Sequence, residues 1–516
     1  MNIKRKFLAT LGLLGLAATG FAQSGAVTLP WHDKDGPLVR NDGSIWRPEL
    51  QLELEFPKLA SPEPVRIGLP FDGTWVEVDL VPHSIRTADF KLFERGADGE
   101  LVEIEAPPSR LFHGSIVDWP ASEVRATLTE DGRLSATIET ENTAWYVQPL
   151  SDFVPGAGPR SHAIYSYLNI MASPGRCGVD DTSFDPTRGG RRGGQDDSDQ
   201  HVHQEHVHQH GTGGSDRAPD EPLLPQSLSL SYRAAGVMCY IDNQYYQWAG
   251  NSISAAVNDA EALLDQVTSE YDDNGVNAFR FNYAGGILET SPGDLFQSTD
   301  ASTLLCEFRT QLAFTDNFDI EAEFAHLLTG RDLNGSTIGI ATVGATCTNF
   351  SSSSCPGVVN TVAPGVSQTT FSGNMKFRGW LTAHEFGHNM GAQHLGSGLF
   401  QTCTGDSCQI MCPSVDTFGC LAIGISWNQS TVPVINSAAL GSCFDPANGT
   451  IYVKQSDPIP YPDGTKGLPF ASLSAALVHI QPNWTLVLFP EVFSESPLTI
   501  SQPMTITAPD GSAFIQ

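Results

Sequence analysis

Basic residues are scarce in this chain. Lys and Arg number 28 against 58 Asp and Glu in 516 residues, a formal net charge of −30. Nucleic acids and anionic membranes select clusters of Lys and Arg, so neither is an expected partner. The acidity reads instead as a strongly hydrated surface. Long apolar runs are missing too. No stretch reaches the roughly 18 uninterrupted apolar residues of a membrane-spanning helix. Cysteine is almost absent upstream: nine of the ten lie between Cys239 and Cys443, and Cys177 stands alone before them.

What is present begins with an export signal. Lys4, Arg5 and Lys6 give a positive start, Phe7 to Ala18 a short apolar run, and Gly20-Phe21-Ala22 small residues suited to cleavage after Ala22. No Cys follows that point, so lipid attachment there is not expected. The expected location is secreted, extracellular, where cysteines pair.

The richest stretch is His384-Glu385-Phe386-Gly387-His388-Asn389-Met390-Gly391-Ala392-Gln393-His394. On a helix, His384 and His388 lie one turn apart on one face. Two neutral imidazoles so placed can grip one zinc ion. Glu385 follows the first His, beside the metal, where it can act on water as general base instead of binding the ion. Gly391 tolerates positive φ, so the chain can leave the helix sharply and return His394 as third ligand. Three protein ligands leave a fourth position open, the mark of catalytic rather than structural zinc.

These residues resemble the metzincin signature, H-E-x-x-H-x-x-G-x-x-H followed by a Met-turn. The candidate Met-turn is Cys408-Gln409-Ile410-Met411-Cys412-Pro413. The resemblance implies Met411 as an apolar floor beneath the zinc site, not a ligand. It also implies an α/β (α+β) catalytic domain with a twisted mixed sheet and a zinc helix. The closest branch in style is adamalysin/reprolysin-like, as a secreted member of bacterial type. Two departures limit that branch. Leu395 stands where adamalysins carry Asp, and no Tyr follows Met411 until Tyr452. The extra tyrosine of astacins and serralysins is therefore not evident.

Upstream, residues 23–176 show short alternating segments such as Trp75–Leu80 and Ala136–Thr140, expected as an antiparallel β-rich domain. Leu111–Leu150, ending in Tyr146-Val147-Gln148-Pro149-Leu150, resembles an adamalysin-type propeptide. Pro174-Gly175-Arg176-Cys177-Gly178-Val179-Asp180 resembles the cysteine switch of matrixins and adamalysins. A thiolate is an excellent zinc ligand, so Cys177 in the fourth position would keep the enzyme latent. Arg176 could anchor the segment on a carboxylate. A free Cys177 leaves nine other cysteines, an odd number. Residues 177–219 complete the switch segment and a Gly/His-rich linker. It carries a dibasic Arg191-Arg192 and His201, His203, His206, His208 and His210, outside the expected active site.

The catalytic domain is assigned to residues 220–446. Strands are expected over Leu228–Tyr240, Ala278–Tyr283 and Ser336–Gly344, the last in a buried central position. Helices are expected over Ile253–Tyr271, Leu304–Phe314 and Arg378–Ala392. Cys347 could pair with Cys355, and Cys239 with Cys306, but spacing does not fix the pairing. Residues 447–516 resemble the opening of a pectin-lyase-like β-helix, too short for the three or more repeats a solenoid usually needs.

The expected function is a zinc metalloendopeptidase, made as a latent zymogen and acting on protein or peptide substrates. One catalytic zinc ion is expected, and calcium has no support. The alternative is a secreted surface- or glycan-binding protein with a non-catalytic zinc site. Oligomeric state is not legible.

Overall fold

The computed structural model describes residues 27–28, 38–39, 45–46, 50–71, 74–96, 99–140, 143–152, 157–158, 160–166, 170–171, 175–179, 233–272, 279–293, 295–314, 320, 322–352, 355–395, 409–415, 426–438, 450–456, 469–480, 484–501, 503–508 and 511–516. The signal segment, the Gly/His-rich linker, and Cys403, Cys408, Cys420 and Cys443 lie outside them. No helix among the described residues is long and apolar enough to cross a membrane.

The upstream part forms a nine-stranded antiparallel sheet running from Val27–Thr28 at one edge to Val65–Phe71 at the other. Strands towards its far edge, such as Leu111–Ile116, alternate, whereas Ala144–Pro149 and Ser161–Ser166 are buried almost throughout. In Leu134–Glu139, Leu134, Ala136 and Ile138 are buried, and they join Leu54, Leu69, Val78 and Val124 in a separate core.

A second nine-stranded sheet is mixed. Its order is Ser414–Val415, Gly175–Cys177, Thr337–Ala341, Ala363–Gln368, Phe324–Thr329, Arg233–Ile241, Phe279–Glu289, Arg86–Arg95 and Leu101–Ile104. The middle strands are parallel, as helical crossovers dictate, and Thr337–Ala341 runs antiparallel to Ala363–Gln368. Helices cover both faces. Ile253–Asp272 and Met375–Asn389 pack on one side with Val237, Cys239 and Ile241. Ala301–Phe314 packs on the other with Met238, Tyr240 and Ile287.

Several expectations change here. Thr337–Ala341 is not central: one neighbour is Ala363–Gln368 and the other is the short Gly175–Cys177 strand. It reads as a central strand because helices cover both its faces. Ile338 shares a core with Leu381, while Ile340 shares one with Phe308. Two strands escaped the pattern, Phe324–Thr329 and Ala363–Gln368, the second because Pro364 and Gly365 imitate a turn. The hairpin Arg86–Arg95 and Leu101–Ile104 leaves the upstream sheet and pairs in the mixed sheet.

The disulfide joins Cys306 to Cys355, at a Cα–Cα distance of 5.4 Å, not Cys355 to Cys347 or Cys239 to Cys306. Side chains alternate along Arg233–Ile241, so Cys239 faces the helix Ile253–Asp272 while Cys306 lies beyond the opposite face. Neither Cys239, which is buried, nor Cys177 is in a disulfide. Cys347 and Cys412 are disulfide-bonded.

Residues 450–516 build a small unit with its own core of Ile451, Val453, Leu486, Leu488 and Phe493. Thr450–Val453, Thr485–Leu488 and Thr505–Thr507 stack in parallel, and Val492–Phe493 pairs in parallel with Phe514–Ile515. The Ser472 hydroxyl caps the helix Leu473–His479 by accepting from the Ala475 amide at 3.1 Å.

Candidate metal centre

The helix Met375–Asn389 starts where Asn374 caps it, the side-chain oxygen accepting from the Phe377 amide at 3.3 Å. It starts three residues before the expected Arg378 and ends before Ala392. Its last two turns carry His384, Glu385 and His388, all buried. Tyr271 holds these turns from the long helix, its hydroxyl donating to the Ala383 carbonyl at 3.0 Å. Gly391 follows at φ 96°, a left-handed conformation that a Cβ would oppose, and the chain reverses. The amide of Leu395 then donates to the Met411 carbonyl at 2.9 Å.

That reversal brings the three imidazoles together. The Nε2 atoms of His384 and His394 are 3.3 Å apart, and those of His388 and His394 are 3.1 Å apart. The Nδ1 atoms are engaged elsewhere: His384 Nδ1 donates to the Ile410 carbonyl at 2.5 Å and His388 Nδ1 to the Ala392 carbonyl at 2.7 Å. This fixes the tautomer and leaves Nε2 lone pairs converging on one point. Ligands at roughly 2.0–2.1 Å around one tetrahedral ion stand about 3.3 Å apart, so the donor set fits zinc. Burial also keeps the His384 and His388 rings neutral, the form that binds metal. Burial and then the neighbouring His394 take His384 down to about 3. Burial, then His384 and His394, hold His388 well below the ordinary range.

Cys177 completes the cluster. Its Sγ and the three ring nitrogens all lie within 4.8 Å of one another. The thiol stands 3.6 Å from Glu385 Oε2 and receives the Val179 amide at 3.4 Å. Backbone hydrogen bonds hold the strand carrying it: Arg176 N donates to Ser336 O at 2.6 Å, Cys177 N to Pro413 O at 3.0 Å, and Gly178 N to Gly339 O at 2.8 Å. Arg176 itself is exposed and makes no ion pair among the described residues, so the anchoring expected of its guanidinium falls to its peptide group.

Glu385 is fully buried between the zinc-binding face and the strand Thr337–Ala341. Burial pushes its carboxyl well above the usual range, with the Cys177 thiol opposing. Its Oε1 has no hydrogen-bond partner among the described residues. A Cβ at Gly339 would lie 2.3 Å from that oxygen, so only glycine lets the strand pass so close. Met411 is fully buried under the helix, in one core with Ile410 and Trp427. Beside the cluster opens a narrow cleft lined by Ile338, Leu381, Ile410 and Pro413 together with Cys177 and His384.

Reasoning from residue spacing did not find Gly339, Tyr271, or the orienting carbonyls of Ile410 and Ala392. A carbonyl carries no residue signature. Gly339 had a signal, a lone Gly within the β-branched run Thr337–Ala341, which marks close approach of another group.

A helix carrying two histidines and a glutamate, a third histidine returned by a glycine turn, a buried Met beneath and a mixed sheet beside it together resemble the centre of a metzincin-like metalloprotease. The comparison with known families agrees. Residues 232–421 match the Reprolysin_5 model, metallo-peptidase family M12. M12 peptidases are zinc-dependent, which supports zinc as the ion and a protein as the substrate.

Proposed function

We propose that the chain is a secreted zinc metalloendopeptidase made as a latent zymogen. The observation that carries this reading is the convergence of three imidazoles and the Cys177 thiol within 4.8 Å, beside a buried carboxyl. His384, His388 and His394 would hold the ion through Nε2, and Cys177 would fill the remaining position in the precursor. When bound, the ion supplies a Lewis acid that polarises a carbonyl and acidifies water.

The chain's own groups do the rest. Glu385 takes the proton of the attacking water at Oε1, which has no other partner among the described residues, and passes it to the leaving amine. The substrate lies extended along Thr337–Ala341, in the lane that Gly175–Cys177 holds in the precursor, paired by backbone hydrogen bonds. One side chain enters the apolar cleft of Ile338, Leu381 and Ile410.

Casein cleavage by purified wild-type chain and by Cys177→Ala tests this. Cleavage by Cys177→Ala that a zinc chelator stops, with a silent wild type, is the expected result. Equal activity in both forms would remove the latency role from Cys177. Inactivity in both, with zinc bound, would remove the peptidase reading.

A further inference from the structure

We infer that cutting the chain between Val179 and Arg233 does not release the upstream domain, so the working enzyme is a two-chain complex in which residues 50–166 remain part of the catalytic fold. This rests on the peptidase reading for what the complex does, but not for whether it holds together.

Three sets of contacts carry the inference. The first is the sheet. Arg86–Arg95 adds to Phe279–Glu289 in parallel, with Gly285 opposite Lys91 and Glu289 opposite Arg95. A Cβ at Gly285 would lie 2.8 Å from the Lys91 carbonyl, so the catalytic strand is shaped to receive this neighbour. Without the hairpin, an 11-residue strand would present an open edge.

The second is charge. One face of the helix Ile253–Asp272 carries Asn258, Glu261 and Asp265, spaced to align, and all three are buried. Every partner of the Glu261 carboxylate among the described residues is upstream: Ser84 Oγ at 2.8 Å, Arg86 Nε at 2.8 Å, Ser109 Oγ at 2.9 Å and the Ile85 amide at 3.3 Å. Asp265 likewise faces His113 at 2.9 Å, Arg125 at 3.0 Å and His83 at 3.6 Å. Glu289 accepts from Arg95 Nε at 2.8 Å, both groups buried.

The third is the core. Ile85, Leu92, Leu111, Tyr146 and Tyr165 belong to the same apolar cluster as Val257, Leu264 and Tyr283. A shared sheet, a shared core and buried ion pairs describe an obligate interface, a domain core divided between two chains. The switch strand differs in kind. Gly175–Cys177 is three residues long, backbone-bound and partly exposed. It can leave the cleft while the rest stays.

The test replaces Arg191-Arg192 by a site for a specific protease in the full chain carrying Cys177→Ala. After the cut, the two fragments are followed by size-exclusion chromatography, casein cleavage and amide hydrogen exchange. The expected result is co-elution after dilution, cleavage by the complex, and unchanged protection of the amides of Phe279–Glu289. A folded catalytic fragment eluting alone, with those amides deprotected, overturns the inference whether or not it cleaves casein. Co-elution without cleavage overturns only the peptidase reading. A second variant, Arg86→Ala with Arg95→Ala, is expected to lose co-elution after the cut; retained co-elution would show that these charge contacts are not what holds the halves.

Discussion

Gly339→Ala is the most informative single change near the centre. The new methyl would stand 2.3 Å from Glu385 Oε1 and 2.9 Å from Leu381 Cδ1. Carbon and oxygen not directly bonded keep roughly 3.3 Å apart, so something must move by about 1 Å. Leu381 is packed in the core and the strand is paired on both sides, so the carboxyl is the group with freedom to turn. A misplacement of about 1 Å in a reacting group costs on the order of 100-fold in rate, or about 2.7 kcal/mol of barrier. The three histidines are untouched, so zinc content should not change. Crowding should lower stability by about 1–3 kcal/mol. The assay is kcat/KM on a quenched peptide in a Cys177→Ala background, with zinc content and Tm measured in parallel. A kcat/KM within three-fold of the parent would refute the placement of Glu385 as the proton carrier. Loss of zinc would refute the claim that the change acts through the carboxyl.

Three further outcomes follow from the same geometry. Glu385→Gln should keep zinc at one ion per chain and abolish casein cleavage; surviving activity would exclude Glu385 as base. Met411→Leu, which conserves volume, should cost less than about 1.5 kcal/mol, and Met411→Ala about 2–5 kcal/mol, by urea unfolding; equal stabilities would mean Met411 is not a packed floor. Burial takes His326 down to about 3, so the folded chain holds it neutral. The unfolded chain protonates it below about pH 6.5, so its contribution is complete above that pH and lost as pH falls towards 3. Wild type should lose stability relative to His326→Gln between pH 6.5 and 5 by about 1.4 kcal/mol per pH unit; parallel pH profiles would refute this.

The long helix was readable because one apolar face repeats every three to four residues, and the helix of His384 and His388 because the two rings stand one turn apart; the first runs one residue further than expected, and the second lies three residues upstream at both ends. The glycine turn was readable because φ of 96° excludes most other residues. Ala363–Gln368 was not readable, since Pro364 and Gly365 signal a turn until neighbouring strands enclose them. Cys239 and Cys306 looked like a pair because sequence does not say which face of a strand meets which helix. Arg86–Arg95 falls within residues 23–176, expected as one β-rich domain, because alternation tells how a strand is buried and not beside which partner.

The chain by itself determined the chemistry: three imidazoles, a glutamate, and the turn that returns the third ring are local, set by helical spacing and one glycine. Tertiary structure alone decided what that chemistry faces. It brought Cys177 from 207 residues upstream of His384 into the same 4.8 Å cluster, laid Thr337–Ala341 beside Glu385, and wove Arg86–Arg95 into the catalytic sheet. Such pairings bring together groups far apart in the chain, and only the packed core and its backbone hydrogen bonds select them.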